Sequence, residues 1–266
     1  MISLMQFDTP VLLAVIGVML VSGLIHGTLG LGFPMVATPM LATMMDVRSA
    51  ILLTLLPTMA VNIASIVTSE NRLETTRQFL PLVLFALLGS IIGASILALT
   101  DPTPYRILLA GLILLYLWNG LRVPRQWLLE HSPLAMALFG LGAGIAAGTT
   151  NVMVAVLIIY FLSLETPRSV LVPALNSCFL VGKMSQIIVL AIAGLVSLRL
   201  VFETTPLAIT AVAALLLGQR LQPRIRVGTY QGILRKLLLI LAIILIYQFL
   251  AEVGWFPWSN GAASQS

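Results

Sequence analysis

Charge is what this sequence has least of. Only 9% of its 266 residues are Asp, Glu, Lys or Arg, against roughly 25% in ordinary soluble domains, and 59% are hydrophobic. So little charge cannot cover a water-facing surface, which excludes a soluble enzyme and a DNA-binding domain. Cysteine is nearly absent as well. Cys178 stands alone inside an apolar run, so neither a disulfide framework nor a thiolate metal site is available. Two scattered histidines, His26 and His131, make no metal cluster. Paired intramembrane acids, a His-Glu-x-x-His helix and a phosphate loop are also missing. Gly30-Leu31-Gly32 follows no strand and precedes no ribose-binding acid, so it is not a dinucleotide fingerprint. No enzyme, cofactor or metal is expected.

What is present is long apolar sequence. Residues 9–45, 49–69, 78–100 and 132–164 contain no acid, lysine or arginine, and about 20 such residues cross a bilayer. A single anchor would need only one of these runs. Lipid admits helices and closed barrels but no open strands, and the spacing of the charged breaks predicts an all-α polytopic membrane protein. The first eight residues lack the basic region of a cleaved signal, so the first run is expected to stay in the protein. The formal charge of +5 lies mostly in short loops, where it reports orientation before it reports a nucleic-acid partner.

Two runs, 10–45 and 131–164, are too long for one span, and each holds an interruption: His26 to Pro34, and Gly148-Thr149-Thr150-Asn151. Arg48-Ser49 recurs as Arg168-Ser169, and Pro81, Gly93 and Tyr105 recur as Pro206, Gly218 and Tyr230. These matches predict two repeats, residues 10–122 and 131–251. Read as eight plain spans, the loop arginines split five (Arg72, Arg77, Arg122, Arg125, Arg199) against six (Arg48, Arg106, Arg168, Arg220, Arg224, Arg226). Read as ten segments, with each long run turning back at its break, only Arg48, Arg106 and Arg199 face outside and the other eight face inside. The positive-inside rule favours the second arrangement. Five segments per half is an odd number, so the halves are inverted and both chain ends are expected outside. Inverted repeats with broken helices belong to secondary transporters.

Four groups of residues could carry chemistry. Around the first break, Gly30 and Gly32 let backbone approach closely, Pro34 suits a helix start, and Thr28 and His26 lie beside them. At the second, Thr149, Thr150 and Asn151 are placed to cap the following helix, so both breaks could aim helix N-termini at an anion. Small residues at such places also serve tight helix packing. Lys183 lies mid-segment, where a cation costs about 2.5–3.5 kcal/mol on insertion scales, with Asn176 and Gln186 on nearly the same face and no acid nearby in sequence. Thr54, Thr58, Asn62, Ser65 and Ser69 form one stripe within about 80° of arc, facing either a path or a neighbouring helix. Ser22 and His26 are one turn apart, and His26 could bind substrate or carry a proton. Arg235 and Lys236 read as interface anchors, and Trp255 and Trp258 as an aromatic belt.

At these residues the sequence resembles the TauE/SafE-type sulfite exporter family, whose halves each carry a Gly-x-Gly-Gly-Gly stretch with a downstream proline. Here the first half has Gly30-Leu31-Gly32-Phe33-Pro34 and then Pro39. The second has Gly148-Thr149-Thr150-Asn151-Val152-Met153, and Asn176 to Gln186 looks like an Asn, Phe, Gly-Lys, Gln pattern of one branch. The resemblance runs from about residue 10 to 250. It implies transport of sulfite, thiosulfate or an organosulfonate across a bacterial cytoplasmic membrane, with export as the main expectation. Import of a related anion and channel-like conduction are the alternatives. The expected partners are a small anion and the bilayer. The expected ligands are His26, Thr28, Gly30, Gly32, Asn62, Thr149, Thr150, Asn151, Asn176, Lys183 and Gln186.

Overall fold

The computed structural model describes residues 7–69, 72–118, 132–224 and 227–255. His131, Trp258, Arg122, Arg125, Arg226 and both chain ends lie outside them, as do the last residues assigned to the first repeat. The described residues are helical and contain no strand. In chain order the helices are α1 (Thr9–Leu29), α2 (Phe33–Ala42), α3 (Val47–Val67), α4 (Arg72–Gln78), α5 (Leu80–Leu99) and α6 (Pro104–Leu117). There follow α7 (Pro133–Thr150), α8 (Val154–Ser163), α9 (Arg168–Ile192), α10 (Leu198–Leu221) and α11 (Val227–Glu252). Seven helices are long and apolar enough to cross a membrane, and α2, α6 and α8 are shorter apolar helices.

Each overlong run is therefore two helices, not one span. After α1, Gly30 and Gly32 take φ of +82° and +102°, a left-handed conformation that costs glycine little. After α7, Asn151 takes φ of +69°, which asparagine tolerates better than most residues. The ten-residue α2 and α8 are each about 15 Å long, half the hydrocarbon thickness. Three local expectations change. Phe33, not Pro34, is the first residue of α2. Thr149, Thr150 and Asn151 close α7 instead of capping α8. The charged break at 70–77 contains a short helix, α4, tied to α9 by a Thr76–Ser177 hydroxyl contact of 2.8 Å.

Two helix pairs approach so closely that only glycine fits. A Cβ on Gly27 would lie 2.1 Å from the Leu215 carbonyl oxygen and 2.9 Å from Gly218 Cα. One on Gly93 would lie 2.4 Å from the Ile145 oxygen and 3.0 Å from Gly148 Cα. Through these contacts α1 runs parallel to α10, and α5 parallel to α7. Between the pairs, α3 and α9 run antiparallel: Ser65 and Ser69 share a cavity with Arg168 and Ser169, whereas Thr58 lies beside Lys183. Helix boundaries recur at a constant spacing. Leu29 and Thr150, Phe33 and Val154, Ala42 and Ser163, and Val47 and Arg168 are each 121 positions apart.

Five of the described arginines can be assigned to two ends. Arg48 donates to the Thr100 carbonyl, and Arg106 pairs with Glu252 at 2.5 Å; Arg199, at the start of α10, belongs to that end. Arg168 and Arg220 lie at the other.

Candidate functional site

Lys183 is the centre of a fully buried polar cluster. Its ammonium donates to Asn151 Oδ1 and to Gln186 Oε1. Both amides are held with their oxygens toward the lysine because their nitrogens are committed elsewhere. Asn151 Nδ2 donates to Thr38 Oγ1 at 2.9 Å and Thr54 Oγ1 at 3.1 Å. Gln186 Nε2 donates to the carbonyls of Ala147 and Gly148 at 3.2 and 3.0 Å. The left-handed turn at Asn151 ends α7 and swings that side chain toward Lys183 on α9. An ammonium has three N–H donors, and two are used. Among the described residues no carboxylate approaches it, so only dipoles are available to balance a protonated Lys183. The space beside it, lined by Pro34, Thr58, Met153 and Phe179, measures about 10 Å³, roughly the room of one water.

A second cluster surrounds His26. Its Nδ1 accepts the Phe33 backbone N–H at 3.1 Å, so the neutral ring carries its proton on Nε2 and donates it to Ser65 Oγ at 2.8 Å. The break after α1 is thus tied to α3 through one side chain. Asn176 Nδ2 donates to the Gly30 carbonyl at 3.0 Å and to its own helix at Val172. Gly30 also packs on Val172, whose methyl would stand 2.9 Å from a Cβ.

The expected ligands accordingly divide. Asn151, Lys183 and Gln186 meet at one place, and His26, Gly30 and Asn176 meet at another. Measured along α3 from Thr54 to Ser65, the two clusters are about 16 Å apart. Thr28, Thr149 and Thr150 turn their hydroxyls back onto carbonyls of their own helices, and Gly32 serves the turn. Asn62 is buried between the clusters with neither amide atom partnered.

A cavity of about 320 Å³ reaches the His26 cluster from one end of the molecule, lined by Ser65, Ser69, Arg168, Gln219 and Gln222 among others. Arg168 Nη2 donates to the Thr28 carbonyl at 3.0 Å. Gln222, with its amide oxygen turned to the guanidinium, accepts from Arg168 at 2.9 and 3.1 Å. Sequence reasoning used Arg168 only to align the repeats and to count charge, and passed over Thr38, a buried hydroxyl in the apolar α2 whose partner lies 113 residues away.

Residues 15–248 match the family described as sulfite exporter TauE/SafE. The chain belongs to that family. TauE/SafE membership makes it a polytopic membrane transport protein of the anion-transporting kind, and the apolar helices agree with this. No match appears among the curated proteins or among the solved structures.

Proposed function

We propose that this TauE/SafE protein is a secondary transporter that moves a small sulfur oxyanion, sulfite or an organosulfonate, outward across a bacterial cytoplasmic membrane. The observation that carries the reading is the uncompensated Lys183. A buried cation is costly unless something offsets it, and Asn151 and Gln186 offset it only with neutral dipoles, leaving one donor and, when the lysine is protonated, its charge for an anion. A bound sulfonate would complete the ion pair.

The same reading includes a duplicated, inverted architecture of residues 10–122 and 131–251. Its support is the 121-residue spacing of the boundaries and the antiparallel α3 and α9. The glycine crossings add to it: Gly27 on Gly218 in one pair and Gly148 on Gly93 in the other. With both chain ends outside, the Arg168 cavity opens to the cytoplasm and the Arg48 end faces out. The α1/α10 and α5/α7 pairs are the rigid units, and their rocking about α3 and α9 would expose Lys183, which has no room for sulfite in the conformation described.

Purified protein tests this with a thermal-shift panel of sulfite, thiosulfate, methanesulfonate and taurine. At least one should raise the melting temperature of the wild type and leave that of Lys183→Met unmoved. Equal shifts in both proteins would remove Lys183 from the site.

A further inference from the structure

Between the cavity and Lys183 lies a set of buried polar atoms with nothing to bond. Ser22 Oγ, Thr58 Oγ1, Asn176 Oδ1 and both amide atoms of Asn62 have no partner, and Ser22 and Asn62 are wholly inaccessible. Buried polar groups are nearly always hydrogen-bonded, so a group of exceptions requires a reason. Their placement is ordered. Both α1 and α3 run parallel to α10: Gly23 and Gly27 meet α10 at successively later residues, as do Leu52 and Thr68. His26 and Ser65 bond each other, and Ser22 and Asn62 sit one turn earlier on their helices. They are therefore at one level, about 5 Å deeper than that bond. One more turn along α3 is Thr58, which borders the Lys183 space. Ser69 and Ser65 border the outer cavity. The stripe on α3 thus runs without interruption from cavity to lysine.

The 121-residue spacing adds a second observation. It pairs Asn62 with Lys183, Ser65 with Gln186, and Gly30 with Asn151. The orphaned amide occupies the position in its half that the ammonium occupies in the other.

We propose that Asn62 and Ser22 form a second oxyanion station, the uncharged counterpart of the Lys183 site, entered when the His26–Ser65 bond opens. This rests on the reading that an anion seats at Lys183. The Asn62 amide and the Ser22 hydroxyl supply neutral donors, and His26 Nε2–H can pass from Ser65 to an anion oxygen without any change of protonation. The ligand class is a small oxyanion of one negative charge, such as a sulfonate. A neutral station holds it less firmly than the lysine. Passage needs that gradation, because a site must bind well enough to be entered and weakly enough to be left.

The test is independent of the transported anion's identity. Asn62→Cys, in a Cys178→Ala background, is exposed in detergent to sulfonatoethyl methanethiosulfonate, itself a sulfonate, and to the trimethylammonium analogue. Ser69→Cys in the outer cavity is the reference. The anionic reagent should modify Asn62→Cys about tenfold or more faster than the cationic one, because the path to this neutral station runs between Arg168 in the outer cavity and Lys183 at its inner end, and positive groups concentrate anions; inert methanesulfonate should slow it. Should Asn62→Cys fail to yield monodisperse protein, Ser22→Cys reports the same station. No labelling at either position while Ser69→Cys reacts would overturn the proposal, since the path then ends in the cavity. So would equal rates for both reagents without protection, which describe a water pocket. Loss of the Lys183-dependent thermal shift with charge-selective labelling intact would defeat the Lys183 reading and leave the station standing.

Discussion

Lys183 shows how a single residue can be constrained by what surrounds it. Its partners are two amides whose own nitrogens are fixed by Thr38, Thr54 and two α7 carbonyls, so the ammonium is held in place by dipoles and no carboxylate among its partners pairs with it. Asn151→Asp would put a carboxylate against the ammonium with almost no change in shape. The resulting internal ion pair should abolish anion binding while the protein still inserts and elutes as a single species. An oxyanion that stabilises Asn151→Asp as well as the wild type would contradict this. Sequence alone marked Lys183, because a charge in an apolar segment is conspicuous. It could not supply Thr38 or the Asn151 contact, which join residues 113 and 32 positions apart. Nor could it reveal that His26 and Lys183 belong to different clusters, since helical periodicity gives the face of a residue and not its depth beside another helix.

At the scale of the helix, glycine decides which pairs pack most closely. Gly27 and Gly93 bring backbones into contact across the two halves, an arrangement common where lipid supplies no hydrophobic drive for association. Leucine at Gly27 would have to displace the α10 backbone, and overpacking of this kind costs about 1–3 kcal/mol or more. Gly27→Leu should therefore lower the melting temperature in detergent clearly. Gly17→Leu, on the same helix with no atom within 4 Å of the added Cβ, should not. Equal effects would mean that the crossing is not tight. The helix breaks, at 30–32 and 151–153, were legible because glycine, proline and short polar residues interrupt hydropathy, although the second begins three residues later than Gly148, where the sequence put it. The capping role given to Thr149 and Thr150 was not borne out, since a hydroxyl at a helix boundary can cap the next helix or bond back to its own, and sequence does not distinguish the two.

For the whole molecule, orientation and energetics follow from the distribution of charge. Arg48, Arg106 and Arg199 group away from Arg168 and Arg220, as the sequence split has it for these five residues. The proposed orientation, with the Arg168 end in the cytoplasm, is the one the positive-inside rule favours. Cysteine at Asp101 should react with an impermeant thiol reagent outside intact cells, and cysteine at Glu74 only after the membrane is opened. The reverse pattern would invert the molecule. The nine acids lie at breaks, segment ends or termini, so a carboxylate proton relay is missing from the sequence, and both nitrogens of His26 are engaged. An anion leaving a negative cytoplasm gains about 2.3 kcal/mol per charge per 100 mV, which suffices to drive export without a proton. The most direct measurement is sulfite and methanesulfonate flux in proteoliposomes under a potassium-diffusion potential, with pH equal on both sides. The account predicts saturable, voltage-driven flux of at least one of these anions in the wild type and none in Lys183→Met. Flux that ignores voltage, follows only an imposed pH gradient and persists in Lys183→Met would contradict it.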